Sequence, residues 1–420
     1  MTITNEPQVW SNWAGNYTAR PLKITHPSTE EEVASIIKEA AAAGQKVRVV
    51  GTGHSFSPIH VSDDSVLICL DQLKGIVSTD PITKHVVCKP GTRIRDFGDP
   101  LWDAGLCLKN QGDIDAQQIV GAMSTATHGS GVRFSSFAST ARRFRVVLPS
   151  GEIREVTDDE PELMNALRVS LGLLGVITEV EFEARETFAI GERLEFWPLQ
   201  KILDRWDDEM ANRRHFSFFW MPYDDSPDEL FMEYPEGMHM ADHALVKLYD
   251  ERDAAEIDQD RTPGNEHYSR LDRPYRIYPD PDFEGVIVMR ELEYMVPFEK
   301  GKDAFLALRQ LILDKYPENK FPIEIRSIAP ESAYLSPFHE RKSISVSLCG
   351  HENKDYRAFL ADVAKTLDAF DPRPHWGKIF YMTPERLSES FPKFEDFRRI
   401  RRELDPDNLF LSPEMAKIFR

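Results

Sequence analysis

The strand-like run Val47–Val50 leads straight into the loop GTGHSFSPI (51–59), and the order of the pieces around it restricts the fold more than any other feature of the chain. Ser28-Thr-Glu-Glu31 reads as a capping box, with the serine hydroxyl accepting from a backbone amide while Glu31 reaches back. The helix it opens sets Val33, Ile36, Ile37, Ala40 and Ala41 on one face and meets Gly44 at its end. The strand Lys46–Val50 comes next, and then the two glycines. A dinucleotide loop of Rossmann type needs GxGxxG opening a helix, so that pyrophosphate meets the helix N-terminus. Here Phe56 stands at the third glycine position, Pro58 removes a donor where helix amides are needed, and the helix precedes the strand. A Walker loop is excluded too, since no Gly-Lys-Ser/Thr follows. What remains is a tight turn of exposed amides suited to wrapping a phosphate, with a histidine at its edge. Taken alone, His54 reads as a hydrogen-bonding loop histidine.

A second loop, GAMSTATHGSG (121–131), packs small residues around His128, with glycines that let a ligand approach the backbone closely. Two such loops in one half point to an extended phosphate-bearing ligand; for the second, a tightly packed glycine turn is the plain alternative. Strands are expected at Ser65–Leu70 and in HVVCKPG (85–91), a short helix over Ile94–Gly105, and a hairpin in FRVVLPSGEIREV (144–156). The glycine-punctuated segment SLGLLGVITEVEFEA (170–184) ends in a long strand, and a domain boundary is expected near residue 187. Beyond it, residues 250–285 are polar and proline-rich and read as largely irregular. Val286–Val296 and Ser343–Cys349 read as strands, Lys302–Tyr316 and Tyr356–Phe370 as helices. Mixed elements in both halves predict an α+β fold.

A formal net charge of −19 argues against nucleic acid or anionic membrane as the main partner. Cys69, Cys88, Cys107 and Cys349 show no CxxC spacing, so neither a metal site nor a dithiol motif is expected. The acidic stretch 250–260 lacks ligand spacing and reads as solvated surface. No apolar run approaches the roughly 20 residues of a spanning helix, and MTITNEPQVWSNW has no basic-then-apolar signal pattern. A reducing, cytoplasmic setting is expected. Oligomeric state leaves no signature.

NWAGN (12–16), VRVVGTGHSF (47–56), NQGDIDAQQIVGAMSTATHGSG (110–131), SLGLLGVITEV (170–180), EIR (324–326) and HWGK (375–378) occur in one order. Together they resemble the flavoprotein oxidases of the vanillyl-alcohol oxidase superfamily, nearest the alditol oxidases and the sugar-1,4-lactone oxidases. The resemblance implies a two-domain α+β flavin oxidase. An FAD-binding domain of PCMH type would cover residues 1–187, with 393–420 returning to it, and a substrate (cap) domain 188–392. It implies FAD as cofactor, bonded through the ring of His54 to the flavin 8α-methyl. Val49, Val50, Gly51, Thr52, Gly53 and Ser55, with Thr125, Ala126, Thr127, His128 and Gly131, would embrace the diphosphate and ribityl chain. Gly172, Gly175 and Ile177 would face the adenine; Gln118, Gly121, Gly112 and Asp113 complete the implied set. His128 reads as a structural member of its loop.

Oxidising an alcohol with a flavin requires a hydride to leave carbon for flavin N5 while the hydroxyl proton goes to a base. It also requires positive charge where the reduced flavin becomes anionic. Glu324 and Arg326 alternate in FPIEIRSI and so share one strand face. Taken alone they read as a solvated face, and Lys378 as a surface lysine; the resemblance implies that all three act over the flavin. Arg326 and Lys378 would stabilise the anionic flavin and the developing alkoxide, and Glu324 would bind substrate hydroxyls. Lys378, desolvated beside Arg326, is a candidate base with a lowered pKa. His375 and Trp376 would support the lysine loop. Gly112 implies room for oxygen, hence an oxidase forming hydrogen peroxide. Asp113 replaces the serine of alditol oxidases, and Ser347 and Cys349 stand where those enzymes present histidine and threonine. The implied substrate is a sugar-1,4-lactone, a polyol or a related carbohydrate. A dehydrogenase of the same fold, using another electron acceptor, is the nearest rival. A hydrolase is disfavoured, because Ser55 beside His54 has no nucleophile-elbow context.

Overall fold

The computed structural model describes residues 9–60, 62–257, 267–280, 289–352 and 354–420. The opening helix spans Glu30–Ala42, with its cap one residue later than the expected box. Thr29 accepts from the Glu32 amide, and Glu32 reaches back to the Ser28 amide at 2.7 Å. Burial of Val33, Ala34, Ile37 and Ala40 sets the phase, leaving Ile36 half-buried and Ala41 exposed. This helix shares a core with a three-stranded parallel sheet ordered Lys23–Thr25, Ser65–Cys69, Lys46–Val50. Parallel strands need cover on both faces; Val147, Val176, Leu409 and Phe410 join the same core.

A second sheet is antiparallel, in the order Ile153–Thr157, Ala141–Val147, Val176–Glu183, His85–Cys88, Ile76–Asp80. The expected hairpin is its first pair, with Ile153 opposite Val147 and Gly151 at φ +77° in the turn. Ile94–Gly105 is not one helix. A 3-10 turn, Ile94–Phe97, leads into a helix at Gly98–Asp103, whose first turn tolerates the missing N–H of Pro100.

The second half is built on eight antiparallel strands. Their order is Arg270–Asp272, Ala189–Pro198, His243–Arg252, His215–Met221, Ile323–Ile328, Ser343–His351, Met289–Pro297, Arg373–Pro374. Residues 250–285 are therefore more regular than expected: one strand runs on to Arg252, Arg270–Asp272 pairs with Ile190–Glu192, and Pro274–Ile277 is helical. Pairing with a distant strand overrides the local composition. Residues 258–266 and 281–288, with Val286–Val288 of an expected strand, lie outside the described residues, as do residues 1–8 of the N-terminal stretch.

Alternation gives this sheet two unlike faces. One carries Phe218, Trp220, Val246, Ile325, Val346 and Tyr294, buried under the helices Leu199–Asn212, Gly301–Lys315 and Tyr356–Leu367. The other carries Lys247, Glu324, Arg326, Ser345, Ser347, Glu291 and Glu293, and it meets residues of the first half. The first half's own core is continuous with Leu387, Phe391, Phe394, Phe397, Ile400, Met415 and Phe419. Among the described residues no helix is long and apolar enough to cross a membrane.

Candidate active site

A cleft with about 800 Å³ of empty space opens at the end of the strand Lys46–Val50. Its lining includes Val49, Val50, Gly51, Thr52, Gly53, His54, Ser55, Gln118, Gly121, Thr125 and Gly172, so these eleven candidates are brought together. Ala126, Thr127, His128, Gly131, Gly175 and Ile177 are not among the residues that line it. Glycine is needed for shape here. At Gly172, with φ +66°, a Cβ would lie 2.8 Å from Val49 Cγ1, and at Gly51 one would meet Gln118 Oε1 at 2.9 Å. Arg48 holds the floor. Its buried guanidinium donates to the carbonyls of Ile59, Leu171, Gly172 and Phe410, and burial lowers its pKa to about 10. Gln117 Oε1 and His60 Nε2 line the cleft buried and without a partner among the described residues. A glycine-walled cleft with unmatched polar atoms suits a long phosphate- and hydroxyl-bearing cofactor such as FAD.

His54, half-buried, stacks on Trp13 with ring centroids 5.3 Å apart. Its loop is tied to the lysine loop: the Phe56 amide donates to Gly377 O at 2.6 Å, and Ser57 Oγ to Trp376 O at 2.5 Å. Trp376 is fully buried and donates to Leu335 O, while His375 Nδ1 accepts from the Gly377 amide, so both brace the turn that carries Lys378.

On the polar sheet face, Glu324 lies opposite Ser347 and Phe219, and Arg326 opposite Ser345. Arg326 donates to Glu324, and its other terminal nitrogen is 2.9 Å from Asp113 Oδ2. The second oxygen of Asp113 is 3.8 Å from Lys247 Nζ, which Asp280 holds more closely, at 2.8 Å. Lys378 pairs with Glu291, which also accepts from Ser347 Oγ at 2.7 Å. Ser345 donates to Glu293, and Glu293 Oε1 is 3.0 Å from His128 Nε2. Although no metal spacing is legible in the sequence, ligand atoms of His128, Glu293 and His375 lie within 4.8 Å of one another. Cys349 is half-buried, opposite Glu291, with its sulfur 3.4 Å from that of Met289.

Burial pushes the Glu324 carboxyl up to about 8, against Arg326 and with help from Asp113. For Asp113 burial acts the same way, but Arg326 and Lys247 outweigh it and hold the carboxyl below its ordinary range. Burial also favours neutral Lys378, yet Glu291 and Glu293 prevail and raise its pKa. This overturns the expectation of a lowered lysine pKa: Lys378 was expected beside a cation and stands against carboxylates. Gly112 likewise has a purely steric explanation. A Cβ there would lie 2.8 Å from His128 O.

Lys247, Asp280, Glu291 and Glu293 escaped the sequence reading. Glu291 and Glu293 alternate with Leu292 and Tyr294 inside a strand, the same period-2 signal that singled out Glu324 and Arg326. Lys247 in ALVKLY carries that signal more faintly, and Asp280 carries none.

Two family models match the chain: an FAD binding domain over residues 21–157 and D-arabinono-1,4-lactone oxidase over residues 284–418. With the fold and the cleft, they define an FAD-dependent oxidoreductase. The chain is 32% identical to L-gulono-1,4-lactone dehydrogenase of Mycobacterium tuberculosis, over 98% of this chain and 99% of that protein. It is 29% identical to alditol oxidase of a Streptomyces species (95% and 96% covered) and 25% to L-gulonolactone oxidase of Mus musculus (98% of each). The crystal structure of cholesterol oxidase from B. sterolicum shares the fold, with a TM-score of 0.79 at 13% identity over 100% of this chain and 99% of that one. The chain belongs to the vanillyl-alcohol oxidase superfamily of flavoenzymes, in the branch of the sugar-lactone and alditol oxidoreductases.

Proposed function

We propose that the protein oxidises a CH–OH group of a sugar-1,4-lactone, polyol or related carbohydrate, with FAD attached covalently at His54 and oxygen as final acceptor, yielding hydrogen peroxide. The domain limits we propose are 1–187 with 393–420 for FAD and 188–392 for substrate. The setting we propose is cytoplasmic, in keeping with four free cysteines. The observation that carries the reading is the Glu324–Arg326 pair, a buried carboxyl raised to about 8 beside a fixed cation, on the sheet face turned to Asp113. Bound FAD supplies the two-electron acceptor for the carbinol hydrogen. Val49 to Ser55, Gln118, Gly121, Thr125 and Gly172 would hold it; Ala126, Thr127, His128 and Gly131 would shape the second loop, and Gly175 and Ile177 would back the adenine side. Glu324 takes the substrate hydroxyl proton and Arg326 faces the developing alkoxide. Lys378 stays charged against Glu291 and contributes positive field only. Ser347 and Cys349 border the substrate.

A same-fold dehydrogenase is the second reading, because Gly112 is required by the His128 carbonyl whatever the acceptor. Turnover of a lactone and polyol panel in air separates them: peroxide in step with substrate consumed supports the oxidase, and dye reduction without oxygen uptake supports the dehydrogenase. His54→Ala should abolish the fluorescent flavin band on a denaturing gel. A band that persists removes the covalent assignment.

A further inference from the structure

The motif NWAGN (12–16) has no part in the oxidation reading, yet it grips the first glycine loop on both sides of His54. Trp10–Ser11 pairs with Thr18–Ala19 as a short antiparallel hairpin, and the motif occupies its turn. The Trp13 amide donates to Gly53 O at 2.9 Å. Asn12, buried, donates through Nδ2 to Ser55 O at 2.9 Å, and Asn16 through Nδ2 to Phe56 O at 3.3 Å. The carbonyls before and after His54 are therefore held by one hairpin. Trp10 meets the same loop away from the His54 ring. Its own ring stands edge-on to His60 at 4.7 Å, and a Cβ on Gly53 would lie 3.1 Å from it.

Trp13 is the member of the hairpin that covers the His54 ring. The two rings are stacked, with planes 24° apart and centroids at 5.3 Å, and Phe56 meets the indole edge-on at 6.0 Å. His54 also lines the cofactor cleft. The lone pair of an unprotonated imidazole nitrogen lies in the plane of the ring. Covering a face therefore leaves the reactive edge open and fixes the direction in which it points, which is what a bond-forming step needs.

We propose that Trp13 is the positioning residue for cofactor attachment, its indole holding the His54 imidazole at the angle from which a ring nitrogen bonds to the flavin 8α carbon. The inference rests on the covalent attachment at His54. In that step the imidazole lone pair forms the C–N bond, while one methyl hydrogen and the imidazole N–H proton are released. The pair of the broken C–H bond passes to the flavin, and dioxygen takes that pair with two protons as hydrogen peroxide. Attachment is measured without turnover, as the fluorescent band on a denaturing gel against total bound flavin, in holoenzyme incubated in air with added FAD. In Trp13→Leu the rate at which bound flavin becomes covalent should fall about tenfold or more. Trp13→Phe keeps an aromatic face and should stay within about threefold of the wild type. Trp10→Leu disturbs the hairpin away from the His54 ring and should stay within the same limit. A Trp13→Leu rate equal to the wild type, a Trp13→Phe rate as low as that of Trp13→Leu, or an equal loss in Trp10→Leu would overturn the proposal. So would failure of both Trp13 variants to retain FAD, because the side chain would then serve folding alone. A wild type with no covalent flavin removes the linkage and this inference with it; a wild type that carries the bond beside unaffected variants removes the inference alone.

Discussion

Glu324 and Asp113 share one guanidinium, so the ionisation of each depends on the other. With its carboxyl held near 8, Glu324 releases its proton only as the medium approaches that pH. Activity that needs the carboxylate therefore rises across this window, and the pH profile of kcat/KM should show an ascending limb there. Glu324→Gln should remove the limb and cost about 10²- to 10⁴-fold in kcat. Stability runs the opposite way. The folded chain binds a proton that the unfolded chain has lost, so this contribution is intact below the usual carboxylate range and is lost as pH rises toward about 8. Asp113→Asn removes a charge that raises the Glu324 pKa, and frees Arg326 for Glu324 alone. Its ascending limb should move to lower pH. A move to higher pH would show that Asp113 acts on something else.

Ile325 lies between Glu324 and Arg326 and points the other way, into the core under three helices. Truncation to alanine leaves the charges and removes the packing, at a cost of about 2–5 kcal/mol; urea unfolding measures it, and the pH limb of the surviving enzyme should stay in place. That inward-outward alternation is why FPIEIRSI could be understood from its residues alone, and the same holds for the hairpin over 144–156, where strand pattern and turn glycine agree. Lys378 could not be. Its ionisation is set by Glu291, eighty-odd positions earlier, and only the run of residues 373–379 along the strand Met289–Pro297 brings them together. The cap at Thr29 was displaced for a related reason: both Ser28 and Thr29 can cap, and the buried face of the helix chose between them. Asp280 shows the limit most plainly, since its neighbour Lys247 lies 33 residues earlier on the strand His243–Arg252 and no local pattern marks it.

Arg48 joins parts of the molecule that the sequence keeps far apart. Its four acceptors belong to the turn after the first glycine loop, the glycine segment near residue 172, and the segment at Phe410. Arg48→Met fills similar space and leaves four buried carbonyls without that donor, so destabilisation of about 3 kcal/mol or more is expected. A lowered melting temperature together with weaker flavin retention checks this; normal retention at lowered stability would confine the role of Arg48 to folding. The continuity of the first core with Phe391, Phe394, Phe397 and Phe419 has a further consequence. A nascent chain released from the ribosome in order cannot seal this core when the strand Val176–Glu183 emerges, because the aromatic side chains that close it are still untranslated. Cofactor capture should thereby be deferred until synthesis is nearly complete, and a product cut short within the eight-stranded sheet would have an open, apolar flank on the half that carries the FAD-binding match.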